Sequence, residues 1–167
     1  MPARGGPLTR PASATRLRAL AVIVGVAAGV FGLDHLTKWL VVRGIQLGDQ
    51  WPASGPVVLH HVHNSGAAFG LFPQLQSVFL AVAVLVAVYI LVAGHRLGGG
   101  VGIQVALGAI LGGASANAVD RAVQGYVVDF VEVHVWPVFN LADSCIVLGI
   151  AAVVLTAGGR TATDQAR

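Results

Sequence analysis

Charge and cysteine are both scarce in this chain. Of its 167 residues only 10% are Asp, Glu, Lys or Arg, against 56% hydrophobic. With a mean hydropathy of +0.79, that balance excludes a soluble globular domain of this length. The lone cysteine, Cys145, excludes an internal disulfide framework and a thiolate zinc cluster, and its place in an apolar run makes it a packing residue. No H-E-x-x-H pair sets two imidazoles on one helical face, and no repeat or second domain is visible. Ser65, Ser115 and Ser144 have no His or Lys base at helical spacing, which argues against a serine nucleophile.

What the chain has instead is long apolar runs. A spanning helix needs about 20 mostly apolar residues, and four such stretches occupy 17–42, 75–94, 101–119 and 138–157. The sequence therefore predicts an all-α integral membrane protein, with four transmembrane helices forming a domain over 16–159 between disordered polar tails at 1–15 and 160–167. Short cytoplasmic loops retain Lys and Arg. Arg4, Arg10, Arg16 and Arg18 precede the first stretch, Arg96 lies between the second and third, and Arg160 and Arg167 follow the fourth. Both termini are thus expected in the cytoplasm. The connections 43–74 and 122–137, with Asp49, Asp129 and Glu132 against Arg43 alone, are expected outside. Asp34 and Lys38 within the first stretch argue against a cleaved signal peptide. The net charge of +3 then reflects topology and contact with anionic lipid, not nucleic-acid binding.

Both outer connections carry strand-like patterns. Residues 57–62 are apolar and β-branched, and Val131, Val133 and Val135 alternate with Glu132 and His134, which predicts a small extracytoplasmic β-element. In the third stretch Gly102, Gly108, Gly112, Gly113, Ala114 and Ala116 leave little side-chain bulk, the condition for close helix approach in lipid.

Polar residues inside the apolar stretches are expensive and mark function. On the alternating topology they fall at one depth: Asp34 and Lys38 late in the first helix, Asn117, Asp120 and Arg121 at the end of the third, Asn140 and Asp143 at the start of the fourth. Structural readings compete with chemistry. Asp34 and Lys38, four apart, suit an internal ion pair. Asp120 and Arg121 suit a helix end at the interface, with the acid paired to its neighbouring cation. Asp129 has the spacing of an ordinary loop acid. Asp143, followed by a long uncharged run, resists a bland reading. His60, His61 and His63 raise a strand-borne metal site, although histidines in a loop are more often simply polar.

Five blocks in order resemble the lipoprotein signal peptidases, also called signal peptidase II: Asp34-His35-Leu36-Thr37-Lys38, Asn64-Ser65-Gly66-Ala67-Ala68-Phe69, Asn117-Ala118-Val119-Asp120-Arg121, Val127-Val128-Asp129-Phe130 and Phe139-Asn140-Leu141-Ala142-Asp143-Ser144. The resemblance spans nearly the whole chain from Asp34 to Gly149. It implies a four-helix enzyme of the bacterial plasma membrane. Such an enzyme is an aspartyl endopeptidase that cleaves prolipoprotein signal peptides before a diacylglyceryl-modified cysteine, with no cofactor, metal or obligate protein partner. It implies that Asp129 and Asp143 are the catalytic pair. Asn64, Asn117, Arg121 and Asn140 would hold the substrate main chain or orient the acids, and Asp34, Lys38 and Asp120 would support the site. Two departures stand out: Ala116 replaces a usual Gly, and the loop from Asp129 to Asp143 is short.

The residues agree chemically, since two carboxylates sharing a proton can activate water and protonate a carbonyl. A transporter is the rival class. Its ion path needs polar groups at the midplane and inner side, yet 78–94 holds no charged or amide residue. A noncatalytic helical scaffold leaves the five polar blocks unexplained.

Overall fold

The computed structural model describes residues 12–66, 76–97 and 100–165. The block Ala67-Ala68-Phe69, the arginines Arg4, Arg10 and Arg167, and most of the expected N-terminal tail lie outside the described residues. The apolar stretches form four helices: α1 (Ala12–Gly44), α2 (Gln76–Ala93), α3 (Gly100–Gln124) and α4 (Leu141–Gln165). Helical backbone thus reaches into 12–15 and 160–165, stretches expected as tails. Ser13–Gly44, Gln76–Arg96 and Gly100–Gln124 are long and apolar enough to cross a membrane, whereas the apolar part of α4, Leu141–Thr156, is shorter. The expected fourth stretch loses its first residues because Phe139 exchanges backbone hydrogen bonds with Val131 and Asn140 becomes the helix cap.

α3 is the central helix and packs on α1, α2 and α4. Its glycines make this possible. A Cβ at Gly112 would lie 2.6 Å from the Ala27 carbonyl oxygen of α1, and one at Gly113 would lie 2.5 Å from the Ala142 carbonyl oxygen of α4. Neighbouring backbones therefore sit where a side chain would otherwise be. Ile23, Ala27, Ile90, Ile103, Leu107, Ile110 and Leu111 form the apolar core around this contact. α2, in contrast, buries Ile90 and turns Val82, Leu85 and Val92 outward, as a lipid-facing helix does.

Three short strands form one antiparallel sheet in the order β1 (Gln50–Trp51), β2 (Val58–Asn64), β3 (Val127–Glu132). Leu59 pairs with Val131 and Val62 with Asp129, so a bulge leaves His60 and His61 opposite Phe130. The strand expected over 57–62 is present. The second is displaced from its expected alternation: it ends at Glu132, His134 turns the chain at φ 58°, and Val135 is 90% exposed. Val127, Val128, Asp129 and Phe130 are instead all buried, because β3 touches both α1 and α3. A strand covered on both faces reads as a continuous run, not as alternation.

Candidate active site

The site is built around the first turn of α4. A helix begins with backbone N–H groups that have no intrahelical partner. Here the Asn140 side-chain oxygen accepts from the Asp143 N–H at 2.9 Å, and Asp143 Oδ2 accepts from the Asn140 N–H at 3.3 Å. This is a reciprocal capping box with aspartate in the third position. A third cap comes from another helix, since the Ala142 N–H donates to Asp34 Oδ1 at 2.8 Å. Asp34, fully buried on α1, thereby neutralises part of the positive end of α4.

Lys38 is the hub between the helices. Its Nζ lies 2.6 Å from Asp120 Oδ2, 3.0 Å from Asn117 Oδ1 and 2.6 Å from Asp34 Oδ2, the last an ion pair whose angles fall outside hydrogen-bond geometry. An ammonium has only donors, so Lys38 dictates which end of the Asn117 amide faces it. The NH2 is left to donate to Asp143 Oδ1 at 2.7 Å. Asp120 is thus paired with Lys38 across helices rather than with its neighbour Arg121, contrary to the sequence expectation. Consecutive residues on a helix point about 100° apart, which separates their side chains.

Asp129 arrives from β3. Its Oδ2 accepts from Asn64 Nδ2 at 2.8 Å and its Oδ1 from Asn140 Nδ2 at 2.7 Å. Burial pushes its carboxyl up to about 6, with the charge of Asp143 adding to the rise, while the hydrogen bonds from Asn64 and Asn140 and the charge of Lys38 oppose it. Asn140 bonds both acids at once, so one side chain sets the relation of β3 to α4. Arg121 is more loosely held. Its guanidinium donates to the Asn117 and Gly66 carbonyl oxygens at 3.4 and 3.3 Å, and its Nε has no partner among the described residues. Asp129, Asp143, Asn64 and Arg121 share the wall of one cavity of about 220 Å³.

All nine polar residues singled out from the sequence therefore fall into one connected network, with three asparagine amides committed to the two acids. The histidines separate. His60 bonds Glu132 at 2.6 Å, His61 bonds the Ile45 carbonyl oxygen at 2.9 Å, and His63 stacks on Tyr126 at 3.8 Å. Among the described residues no three His, Cys, Asp or Glu converge as a metal-ligand set. The Ser144 hydroxyl donates to the Asn140 carbonyl oxygen, and among the described residues no His or Lys bonds it. Two features were missed in the sequence: the capping box, legible as N-x-x-D, and Trp136, which lines the cavity and carried no motif.

The architecture and site define a mostly helical, membrane-type protein with two acids, Asp129 buried and Asp143 half-buried, on the wall of a cavity at one end of the bundle. Comparison with known proteins agrees. The family described as Signal peptidase (SPase) II matches residues 26–157. The chain is 43% identical over 123 residues to the lipoprotein signal peptidase of Moorella thermoacetica, covering 72% of this chain and 82% of that one. It is 38% identical over 124 residues to that of Halothermothrix orenii, covering 74% and 86%. A solved bacterial membrane enzyme superposes with a TM-score of 0.73 at 25% identity, over 84% of this chain and 90% of the other. The chain belongs to the signal peptidase II family, and is accordingly a membrane protease of lipoprotein processing.

Proposed function

We propose that this protein is an aspartyl endopeptidase that removes signal peptides from prolipoproteins, hydrolysing the peptide bond before a diacylglyceryl-modified cysteine with Asp129 and Asp143 as the catalytic pair. The observation that carries this reading is Asn140, which bonds both carboxylates and aims them at one cavity. The acids share one proton. A water between them gives a proton to the ionised carboxylate as its oxygen attacks the scissile carbonyl, and the protonated acid donates to the carbonyl oxygen. Proton return to the nitrogen of the cysteine then breaks the C–N bond, leaving a carboxylate on the signal peptide and an amine on the cysteine. This chemistry needs no cofactor or metal.

Asn64, Asn117 and Asn140 orient the acids. Arg121, with donors to spare, binds the substrate main chain, which enters a region without water to satisfy it. Asp34, Lys38 and Asp120 support the site by fixing the Asn117 amide and the start of α4. α4 completes a four-span domain, both termini are cytoplasmic, and the site lies near the extracytoplasmic surface, where lipid chains of a substrate remain in the bilayer. The test is cleavage of a lipidated precursor by purified protein in detergent, with Asp129→Asn and Asp143→Asn run in parallel. Wild-type turnover with both variants folded and inactive is the expected result. Turnover surviving in either folded variant removes that acid from the pair.

A further inference from the structure

Three cavities line up along the site, and Trp136 walls all of them. The acids stand at the junctions. Asp129 lines the first and second, Asp143 the second and third. A peptide laid across both acids therefore has one flank in the first cavity and the other in the third, and the two flanks differ in chemistry. The third, about 410 Å³, is lined by Phe139, Val147 and Leu148, and the last two are 64% and 69% exposed on the outer face of α4. It opens beside the apolar outer face of α4. The first, also about 410 Å³, lies against the sheet and presents His60 and His63.

Both imidazoles are prepared for a polar partner. The bulge between Leu59 and Val62 re-aims His60, whose Nδ1 is committed to Glu132 Oε2 at 2.6 Å. His134 holds the other oxygen of the same carboxylate at 3.1 Å and the Gly55 carbonyl oxygen at 2.8 Å, which ties the turn before Trp136 to the sheet. The hydrogen bond from His60 keeps the Glu132 carboxyl below its ordinary range, so Glu132 accepts and the His60 Nδ1–H donates. The Nε2 of a neutral His60 is then an acceptor. The ring of His63 is held by stacking on Tyr126, and neither of its nitrogens bonds another described residue.

On the peptidase reading above, the signal peptide and the lipid chains are apolar, and the segment after the modified cysteine is the part that leaves the bilayer. We propose that the cavity bounded by His60, His63 and Trp136 receives the first residues after the modified cysteine and selects hydroxyl and amide side chains there over aliphatic ones. An aliphatic side chain at this point strips water from two imidazoles and returns no hydrogen bond.

The experiment uses the full chain in detergent and lipidated precursors that differ only in the residue after the cysteine: Ser, Asn, Leu or Val. One net hydrogen bond corresponds to a preference of about two- to tenfold in kcat/KM, so wild type is expected to favour Ser and Asn over Leu and Val by that factor. In the double variant His60→Leu, His63→Leu the ratio falls to about one, and in His60→Gln, which keeps an acceptor, it is retained. Each ratio is taken within one preparation, so a lowered folded fraction cancels. Absence of preference in wild type overturns the inference, as does a ratio that survives in the double variant. Folded wild type that cleaves none of the precursors overturns the peptidase reading itself.

Discussion

Asn140 is the residue whose removal tests the site most directly, because it performs two separable tasks. Its side-chain oxygen caps α4 through the Asp143 N–H, and its NH2 donates to Asp129 Oδ1 and, at 3.2 Å, to Asn117 Oδ1. Asn140→Ala removes both. Loss of a side-chain cap costs about 1 kcal/mol, and a buried carboxylate oxygen left without its donor costs about 1–3 kcal/mol more. Asn117 Oδ1 keeps Lys38 and adds little, so the whole effect is about 2–4 kcal/mol, well beyond the usual cost of a surface change. Asn140→Ser restores an oxygen that can cap the helix but places no donor on Asp129. It should recover about 1 kcal/mol of the loss and none of the activity. The assay is thermal melting in detergent beside turnover per folded molecule with a lipidated precursor. Wild-type melting in Asn140→Ala would refute the assigned hydrogen bonds. A serine variant with near wild-type turnover would show that the link to Asp129 is not what catalysis needs.

Asp120→Asn leaves Lys38 its partner Asp34 and should cost less than the roughly 3–5 kcal/mol of a fully broken buried pair. Turnover per folded molecule should stay measurable, and a folded but dead variant would move Asp120 into the catalytic pair. Gly113→Ala forces a methyl against the Ala142 carbonyl oxygen one residue before Asp143, so melting should fall by about 1–3 kcal/mol equivalent. Gly25→Ala, with open space around it, should be neutral or gain up to about 1 kcal/mol, and equal effects of the two would sink the packing argument. For pH, burial holds the proton on Asp129 up to about 6, against the 3.8 of an ordinary exposed aspartate. On the proposed pair, which retains one proton, kcat/KM of the free enzyme should fall as pH rises through about 6. A flat profile between pH 5 and 8 would contradict that assignment.

Much of the site is legible in the amino-acid sequence, for a physical reason. In an apolar chain each intramembrane polar group is costly, so Asp34, Lys38, Asn117, Asp120, Asn140 and Asp143 stand out against their background. Alternating helix direction then brings them to one end. Asp129 is harder, since it lies in a connection and its spacing alone matches an exposed loop acid. Only the pairing of β2 with β3 and the contacts of β3 with α1 and α3 bury it.

The sequence by itself determined the membrane class, the helices and the set of polar residues, because these follow from local composition and from the free energy of placing each residue in lipid. The tertiary structure decided who partners whom. Lys38 belongs to Asp34, Asn117 and Asp120, Arg121 is left loosely bonded, and His60 is turned to Glu132 by a bulge. A hydrogen bond depends on position to within a few tenths of an ångström and on angle. Positions of that accuracy come from helices meeting at glycines far apart in the chain, which no local pattern records.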